Sequence, residues 1–311
     1  MVTRVSTAGN YSAILANLMA AEGRQVDAEN RVSSGKNGTD LKSYATQAET
    51  LTAMKSVDAR ITNYQSQNTL IAAKLSTQDQ ALSATADAAT QVRTAIANAI
   101  ASGDANTLMQ VVQGQFQTAV SSLNTQFDGK YVFAGSKITT QPVTATQLSD
   151  LTSGPPIASF FQNDNVATQA KLDDTTTVTT GQVASNLGTP MMQAFQALQA
   201  FDQGPGGPLN GQLTAAQTAF LTTQMQSWAG IATDLTTQTA QNGLVQKQVD
   251  DVGANLVTQQ NTLTVMIGHV TDADMAKAAT DLSNAQLSVQ ASAKVLQALQ
   301  SSSLLALLPV A

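Results

Sequence analysis

Apolar residues recur at alternating spacings of three and four positions over much of the chain. This pattern is typical of helices that pack together along a narrow apolar seam. The first row includes Tyr11, Ile14, Leu18 and Val32, and the next runs from Leu51 to Ala99. At a rise of about 1.5 Å per residue, a helix over 51–101 would be about 75 Å long. The pattern therefore predicts extended helical packing.

The C-terminal part carries the same spacing with one phase shift, between Gly268 and Ala273. The row after the shift consists of Met275, Leu282, Val289 and Leu296, with Leu299 at the second seam position. A phase shift can mark a local change of supercoil within a near-continuous helix, which we expect here. Alternatively, Thr271 and Asp274 form a capping box that opens a new helix.

The amino-acid composition and the spacing of apolar residues change in the central part of the chain. The apolar spacing predicts a helix over 106–126, and Asp128-Gly129 then predicts a turn into a strand over Lys130–Phe133. The following residues, as far as Asn186, are rich in Thr, Gly, Pro and β-branched side chains, which indicates a small β-rich insertion. Helix resumes near Met191 and, after a Gly- and Pro-rich break at 204–208, over 213–252.

These elements predict a mainly α fold, a long antiparallel coiled-coil helical bundle of paired N- and C-terminal segments with a small β-rich insertion. We expect a terminal assembly domain (1–45 with 272–311), a helical rod domain (46–127 with 188–271) and the insertion (128–187). Ala and Gln occupy many seam positions, and Ala-rich helices are marginal in isolation. The terminal helices are therefore expected to fold fully only against neighbouring subunits.

Composition excludes several classes of function. Charged residues make up only 12% of the chain and the net charge is −6, with no basic run, so a nucleic-acid partner is not expected. There is no cysteine, which excludes disulfides and thiolate metal sites. A single histidine, His269, leaves no two-histidine metal site.

Candidate catalytic groups are few. His269 lies near Asp272 and Asp274, but the sequence contains no nucleophile elbow from which Ser–His–Asp geometry could be assigned. The acidic pairs 173–174 and 250–251 have no third ligand at calcium-loop spacing, and the 204–208 loop lacks the Lys-Ser/Thr of a phosphate loop. We expect solvated side chains here, and neither an enzyme nor a metal or cofactor site.

Two apolar segments bear on targeting. Ala13–Ala21 loosely imitates a signal peptide but is interrupted by Asn17 and continues the helical row. Leu304–Leu308 is too short for a bilayer, which takes about 20 apolar residues. We expect a soluble chain, without membrane insertion, that is exported without a cleaved signal peptide.

Three segments resemble the bacterial flagellin family. The N-terminal segment consists of Thr3-Arg4-Val5-Ser6-Thr7 with Tyr11 and Arg31-Val32-Ser33-Ser34-Gly35-Lys36. The C-terminal segment consists of Asp272-Ala273-Asp274-Met275-Ala276 with Leu282, Gln286, Gln290-Ala291-Ser292 and Ser303-Leu304-Leu305. The third, central segment is Phe127-Asp128-Gly129-Lys130-Tyr131-Val132-Phe133-Ala134-Gly135-Ser136. The third segment is more similar to the hook-associated members of the family than to filament flagellin. The Leu307-Leu308 ending is flagellin-like, so a filament subunit stays open as the alternative.

The resemblance implies a structural subunit of the bacterial flagellum that joins hook to filament and polymerises through its terminal helices. It implies self-association, contact with a neighbouring hook-associated protein and with flagellin, and a place outside the cell at the hook–filament junction. Delivery would involve a flagellar export chaperone and the type III export apparatus. A more distant alternative is a coiled-coil translocator or adhesin of another secretion system, which would need a long apolar hairpin that the sequence lacks.

Overall fold

The computed structural model describes the backbone of residues 2–305 and the side chains of residue 9 and residues 11–299. The fold is mainly α, as the sequence predicts. The helices of the described residues are α1 (Val2–Ser34), α2 (Ala48–Ser102), α3 (Leu108–Leu123), α4 (Ala184–Gln203), α5 (Ala215–Thr271) and α6 (Met275–Leu305). Two compact units result, one from 1–60 with 258–311 and the other from 61–257.

In the terminal unit, α1 and α6 pack as an antiparallel pair. Nη1 of Arg31, near the end of α1, lies 3.9 Å from Oδ2 of Asp281, near the start of α6. Buried alanines one heptad apart line the contact on both helices. They are Ala21 and Ala28 on α1, and Ala278 and Ala285 on α6. Small side chains at these positions let two helices approach closely while burying little apolar area.

The expectation of a near-continuous helix through the phase shift is wrong. α5 ends at Thr271 and α6 begins at Met275. The side chain of Asp274 accepts hydrogen bonds from the backbone N–H groups of Ala276 (3.0 Å) and Lys277 (3.1 Å), which caps the start of α6. The alternative of a new helix is therefore correct, with Asp274 rather than Thr271 as the capping residue.

The second unit has a continuous apolar core, to which α2, α3, α4 and α5 all contribute. At its centre the ring of Phe195 packs edge-on against Phe116 (centroids 5.4 Å apart) and Trp228 (4.7 Å apart). Buried amides interrupt the apolar rows; among them, Asn68 donates to the carbonyl of Leu172, and Asn242 donates to the carbonyl of Leu75. Buried amides in a helical seam favour one register, because any shift leaves them unpaired.

The β insertion is confirmed, although its strands are short. β1 (Gln126–Phe127) pairs antiparallel with β2 (Lys130–Tyr131). The positive φ angles of Asp128 (50°) and Gly129 (70°) form the predicted turn between them. β3 (Gln169–Lys171) pairs antiparallel with β4 (Thr177–Thr179). The strand predicted over Lys130–Phe133 is shorter, because only Lys130 and Tyr131 pair with β1, and Phe133 lies in the core.

Candidate assembly site

The seam residues predicted from the sequence lie along the α1–α6 pair. Partly buried positions on it are Ile14, Leu18, Val32, Leu282, Val289, Leu296 and Leu299. Their spacing places them beside the buried alanines of the same helices, so within one chain they already line the contact between α1 and α6. Tyr11 and Met275 are more exposed than the other members of the set.

Other apolar side chains of the pair remain uncovered within one chain. On α1, Met19 is 65% exposed, and Val26, one heptad further on, is also exposed. On α6, Leu287 and Val295 are exposed. Apolar side chains grouped on one helix pair are typical of surfaces that contact another protein. The helix pair therefore has an internal seam and, outside it, exposed apolar side chains.

A clasp joins the segment after α1 to the segment between α5 and α6. Gly35 has a φ of +66°, a conformation that suits glycine and ends α1. The backbone N–H of Asn37 donates to the carbonyl of Thr271 (2.7 Å), and that of Ala273 donates to the carbonyl of Gly35 (2.9 Å). These two bonds form an isolated antiparallel bridge around Lys36 and Asp272.

Side chains reinforce the clasp. The Lys36 ammonium donates to Oδ1 of Asp272 (2.5 Å) and Oγ1 of Thr271 (3.4 Å). The Asn37 amide donates to the carbonyl of Asp272 (2.8 Å). Hydrogen bonding from Lys36, followed by that from Thr271, holds the pKa of Asp272 below its usual value. The clasp thus joins the two flagellin-like segments that lie at opposite ends of the sequence.

The remaining N-terminal motif residues have local roles. Ser34 donates from its hydroxyl to the carbonyl of Asn30 (2.6 Å) and accepts from the backbone N–H of Lys36 (3.2 Å). Arg31 forms the exposed ion pair with Asp281, of a kind that contributes little to stability. Ser33 is exposed at the end of α1.

The central motif, residues 127–136, packs against residues 183–184 and Asp164 in the second unit, and this region is called the central corner. Phe133 is fully buried, and its carbonyl accepts from the backbone N–H of Ala184 (2.9 Å). Ala134 is buried and forms a backbone bridge with Val183. Gly135 has a φ of +68°, and a Cβ there would lie 2.1 Å from Oδ1 of Asp164. Glycine is therefore required at this position.

Asp164 is a residue that sequence reasoning missed. Its carboxylate accepts hydrogen bonds from the backbone N–H of Ser136 (2.9 Å), from the Ser136 hydroxyl and from the backbone N–H of Val166 (3.1 Å). The Ser136 hydroxyl, followed by the Ser136 N–H, lowers the pKa of Asp164. No spacing rule links residues 28 positions apart in a loop, so only the fold reveals this contact.

The candidate catalytic groups serve structural purposes or lie on the surface. His269 is exposed in the last turn of α5, while Asp272 pairs with Lys36 and Asp274 caps α6. Asp173 accepts from the backbone N–H groups of Thr175 and Thr176, and Asp251 pairs with Lys247. In the described part of the chain, no three acidic or histidine side chains cluster as a metal site would require. The loop at 204–208 follows a helix rather than a strand.

Paired terminal helices, a helical core and short β hairpins define a mainly α protein of the helical-bundle class. The family description "bacterial flagellin N-terminal helical region" matches residues 5–138, and "bacterial flagellin C-terminal helical region" matches residues 225–308. The chain belongs to the flagellin family and is a flagellar structural protein. Membership of this family supports a structural rather than an enzymatic role.

Two solved structures are similar to the chain, and the first of them shares its fold. A structure from Vibrio parahaemolyticus assigned as a flagellar hook-associated protein is 14% identical, with a TM-score of 0.59 over 72% of this chain and 97% of that one. FlgL of Bacillus cereus is 15% identical, with a TM-score of 0.49 over 65% of this chain and 98% of that one. No curated protein sequence matches the chain.

Membership of the family also indicates the cellular location of the protein and its association with other copies. Flagellin-family proteins are flagellar components that reach the cell exterior and associate with one another. None of the helices in the described residues has the length and apolar character needed to cross a membrane. The Leu307-Leu308 ending, which resembles flagellin, lies outside the described residues.

Proposed function

We propose that the protein is the hook–filament junction subunit of the flagellum, of the type called hook-associated protein 3 or FlgL. The observation that carries this proposal is the run over 129–136, which resembles the hook-associated members of the family more than filament flagellin. In the structure two residues of this run are closely packed: Phe133 lies in the core, and Gly135 lies against Asp164. The fold shared with a hook-associated structure is compatible with the proposal and equally with the filament alternative.

Polymerisation would proceed through the terminal assembly domain, for which we keep the bounds 1–45 and 272–311. The seam between α1 and α6 is built largely of alanine and partly buried aliphatic residues, which is a small apolar area for two long helices. Neighbouring copies would cover the exposed Met19 and Leu287 and so complete the packing. Folding of the terminal helices is then coupled to assembly.

The partners follow from this position in the flagellum. One end of the junction ring would contact a neighbouring hook-associated protein, and the other would contact flagellin. Export would use a flagellar chaperone and the type III apparatus, with no cleaved signal peptide. The predicted seam residues are uncharged, which is compatible with close packing of identical subunits because no charge on the seam needs to be desolvated.

The alternative function is that of flagellin, which forms the filament itself with the same terminal helices. It differs from the junction subunit in abundance and location rather than in fold. The distant alternative is a coiled-coil translocator or adhesin of another secretion system. That alternative depends on a membrane-inserting hairpin, for which the described helices offer no candidate.

Immunogold labelling of intact flagella, viewed by electron microscopy, tests the proposal. A strain that lacks this chain serves as the control for antibody specificity. A single band of label at the hook–filament boundary is the expected result. Label along the entire filament would instead identify the protein as a flagellin. Flagella without label, in cells that produce the protein, would favour the translocator or adhesin.

A further inference from the structure

Three asparagines of the chain are followed directly by glycine: Asn37, Asn210 and Asn242. Asparagine before glycine is the pair most prone to deamidation, because glycine has no Cβ to hinder attack of its own backbone nitrogen on the preceding side chain. The reaction also needs a backbone N–H that is free of other hydrogen bonds and a side chain that can rotate. The fold gives the three asparagines different environments, so their reactivities should differ.

The structure protects two of these asparagines. Asn242 is buried in the middle of α5, where the helix engages the N–H of Gly243. Asn210 is exposed, but the N–H of Gly211 donates to Oδ1 of Asn106 (3.0 Å). At both sites the nitrogen that would attack is therefore already held in a hydrogen bond.

Asn37 lies in the exposed loop after α1, directly after the lysine that bridges to Asp272 in the clasp. Among the described residues, no group accepts a hydrogen bond from the N–H of Gly38. The Asn37 side chain donates to the carbonyls of Asp272 (2.8 Å) and Val270 (3.5 Å) at the surface of the protein. Of the three sites, this one therefore combines an exposed side chain with a neighbouring nitrogen that is not engaged.

The clasp itself requires this reactive pair. Asn37 supplies an amide donor to the carbonyl of Asp272, which an aspartate at the same position would lack. A Cβ on Gly38 would lie 2.2 Å from Cβ of Ser43, so only glycine fits this close approach. A bulkier residue after Asn37 would slow deamidation, but this packing excludes it.

We propose that Asn37 is a site of spontaneous deamidation in the folded protein, and that its conversion loosens the clasp. The backbone nitrogen of Gly38 attacks Cγ of Asn37 and gives up its proton through solvent to the side-chain nitrogen, which leaves as ammonia. Water then adds to one of the two carbonyls of the resulting succinimide ring, and the ring opens to aspartate or isoaspartate. The proposal does not depend on the role in assembly, since the reaction needs only one chain and water.

Either product disturbs the clasp. A carboxylate at residue 37 faces the carbonyl of Asp272 without a hydrogen to donate, so the side-chain bond is lost. Isoaspartate also adds a methylene group to the backbone directly after Lys36, where the backbone bridge to Asp272 forms. We therefore expect the clasp to weaken as the protein ages.

Peptide mapping by mass spectrometry tests the site. The purified full-length protein is incubated in mildly alkaline buffer made with ¹⁸O-labelled water, so that only conversions during the incubation carry the label. One sample is kept folded, and a second is unfolded in urea. The asparagines at 210 and 242 serve as internal controls, because the same dipeptide occurs there in a different environment.

In the folded sample we expect labelled products at Asn37 to form about tenfold faster than at Asn242, because the helix around Asn242 must first open locally. Conversion at Asn210 should also be slower than at Asn37. In urea the three sites should convert at similar rates. Conversion at Asn37 no faster than at Asn242 in the folded protein would overturn the inference. The same order of rates in both samples would assign the difference to local sequence rather than to the fold, and would overturn it as well.

Substitution tests the effect on the clasp. Asn37→Asp reproduces one product, and Asn210→Asp introduces the same charge in a loop of the second unit as a matched control. The N–H of Ala273 donates to the carbonyl of Gly35 in the clasp (2.9 Å), so its hydrogen exchange should be faster in Asn37→Asp and unchanged in Asn210→Asp. Unmodified protein aged until Asn37 has converted should show the same faster exchange. Unchanged exchange at Ala273 in both Asn37→Asp and the aged protein would refute the effect on the clasp.

Discussion

Lys36 and Asp272, 236 positions apart in the sequence, form the ion pair that closes the clasp between the two ends of the chain, with 2.5 Å between Nζ and Oδ1. The pair is flanked by two backbone hydrogen bonds, from Asn37 to Thr271 and from Ala273 to Gly35. Both side chains are about half exposed, so the pair orients the segments more than it stabilises them. It fixes where α6 begins relative to the end of α1.

Reversing one charge of the clasp should loosen it, and reversing both should restore it. Lys36→Asp places two carboxylates together, so we expect faster hydrogen exchange at the amides of Asn37 and Ala273. The double variant Lys36→Asp with Asp272→Lys should recover much of the protection, because opposite charges again face each other. Amide exchange followed by NMR measures this change. Equal exchange in the single variant and the unmodified protein would show that the backbone bonds suffice.

The clasp should also respond to acid. Because the folded-state pKa of Asp272 is lowered, its contribution to stability is present above its ordinary value of 3.8 and is lost as the pH falls through the folded-state pKa. In Lys36→Met, the main cause of the lowered pKa is gone, so the pKa of Asp272 should move back up. Titration of the carboxyl carbon by NMR measures both values. An unchanged pKa in Lys36→Met would assign the shift to Thr271.

Glycine 135 offers a test of the central corner. Gly135→Ala adds the αL penalty, about 1–2 kcal/mol, and also pushes Cβ into Asp164. Gly129→Ala in the same unit has a similar φ of +70° but open space around the added Cβ. Gly135→Ala should therefore lower the free energy of unfolding more than Gly129→Ala does. Urea denaturation measures the difference, and equal losses would mean that the corner relaxes around the methyl group.

The aromatic centre should dominate the stability of the second unit. Phe195→Ala removes a fully buried ring that contacts both Phe116 and Trp228, for which a loss of about 3–5 kcal/mol is expected. Phe195→Leu keeps most of the volume and should cost less. Urea unfolding followed by the fluorescence of Trp228 reports on this core. A loss below about 1 kcal/mol for Phe195→Ala would show that the core refills the space.

The seam and the outer surface of α6 can be separated by two substitutions of the same kind. Leu282→Asp puts a carboxylate into the partly buried α1–α6 contact, so it should reduce the partial helical content that the terminal helices have in the monomer and prevent assembly. Leu287→Asp alters an exposed position and should leave the monomer's helices intact while still weakening assembly.

Circular dichroism of the monomers and the amount of protein in isolated flagella give the two readouts for this pair. Leu296→Asp, or a chain that ends near residue 276, should resemble Leu282→Asp, with the second unit still folded. Normal incorporation of Leu287→Asp would show that the outer surface of α6 is not covered in the assembly. Normal incorporation of Leu282→Asp would contradict folding coupled to assembly.

The sequence by itself determined the helical content, the long helix α2, the turn at Asp128-Gly129 and the family, because periodicity, turn residues and motifs are local. It also placed Phe133, Ala134 and Gly135 in one motif, but not their contact with Asp164. Only the tertiary structure decided that α5 and α6 are separate and that Lys36 meets Asp272. These features depend on segments far apart in the chain, and a local pattern carries no information about which distant backbone groups will pair.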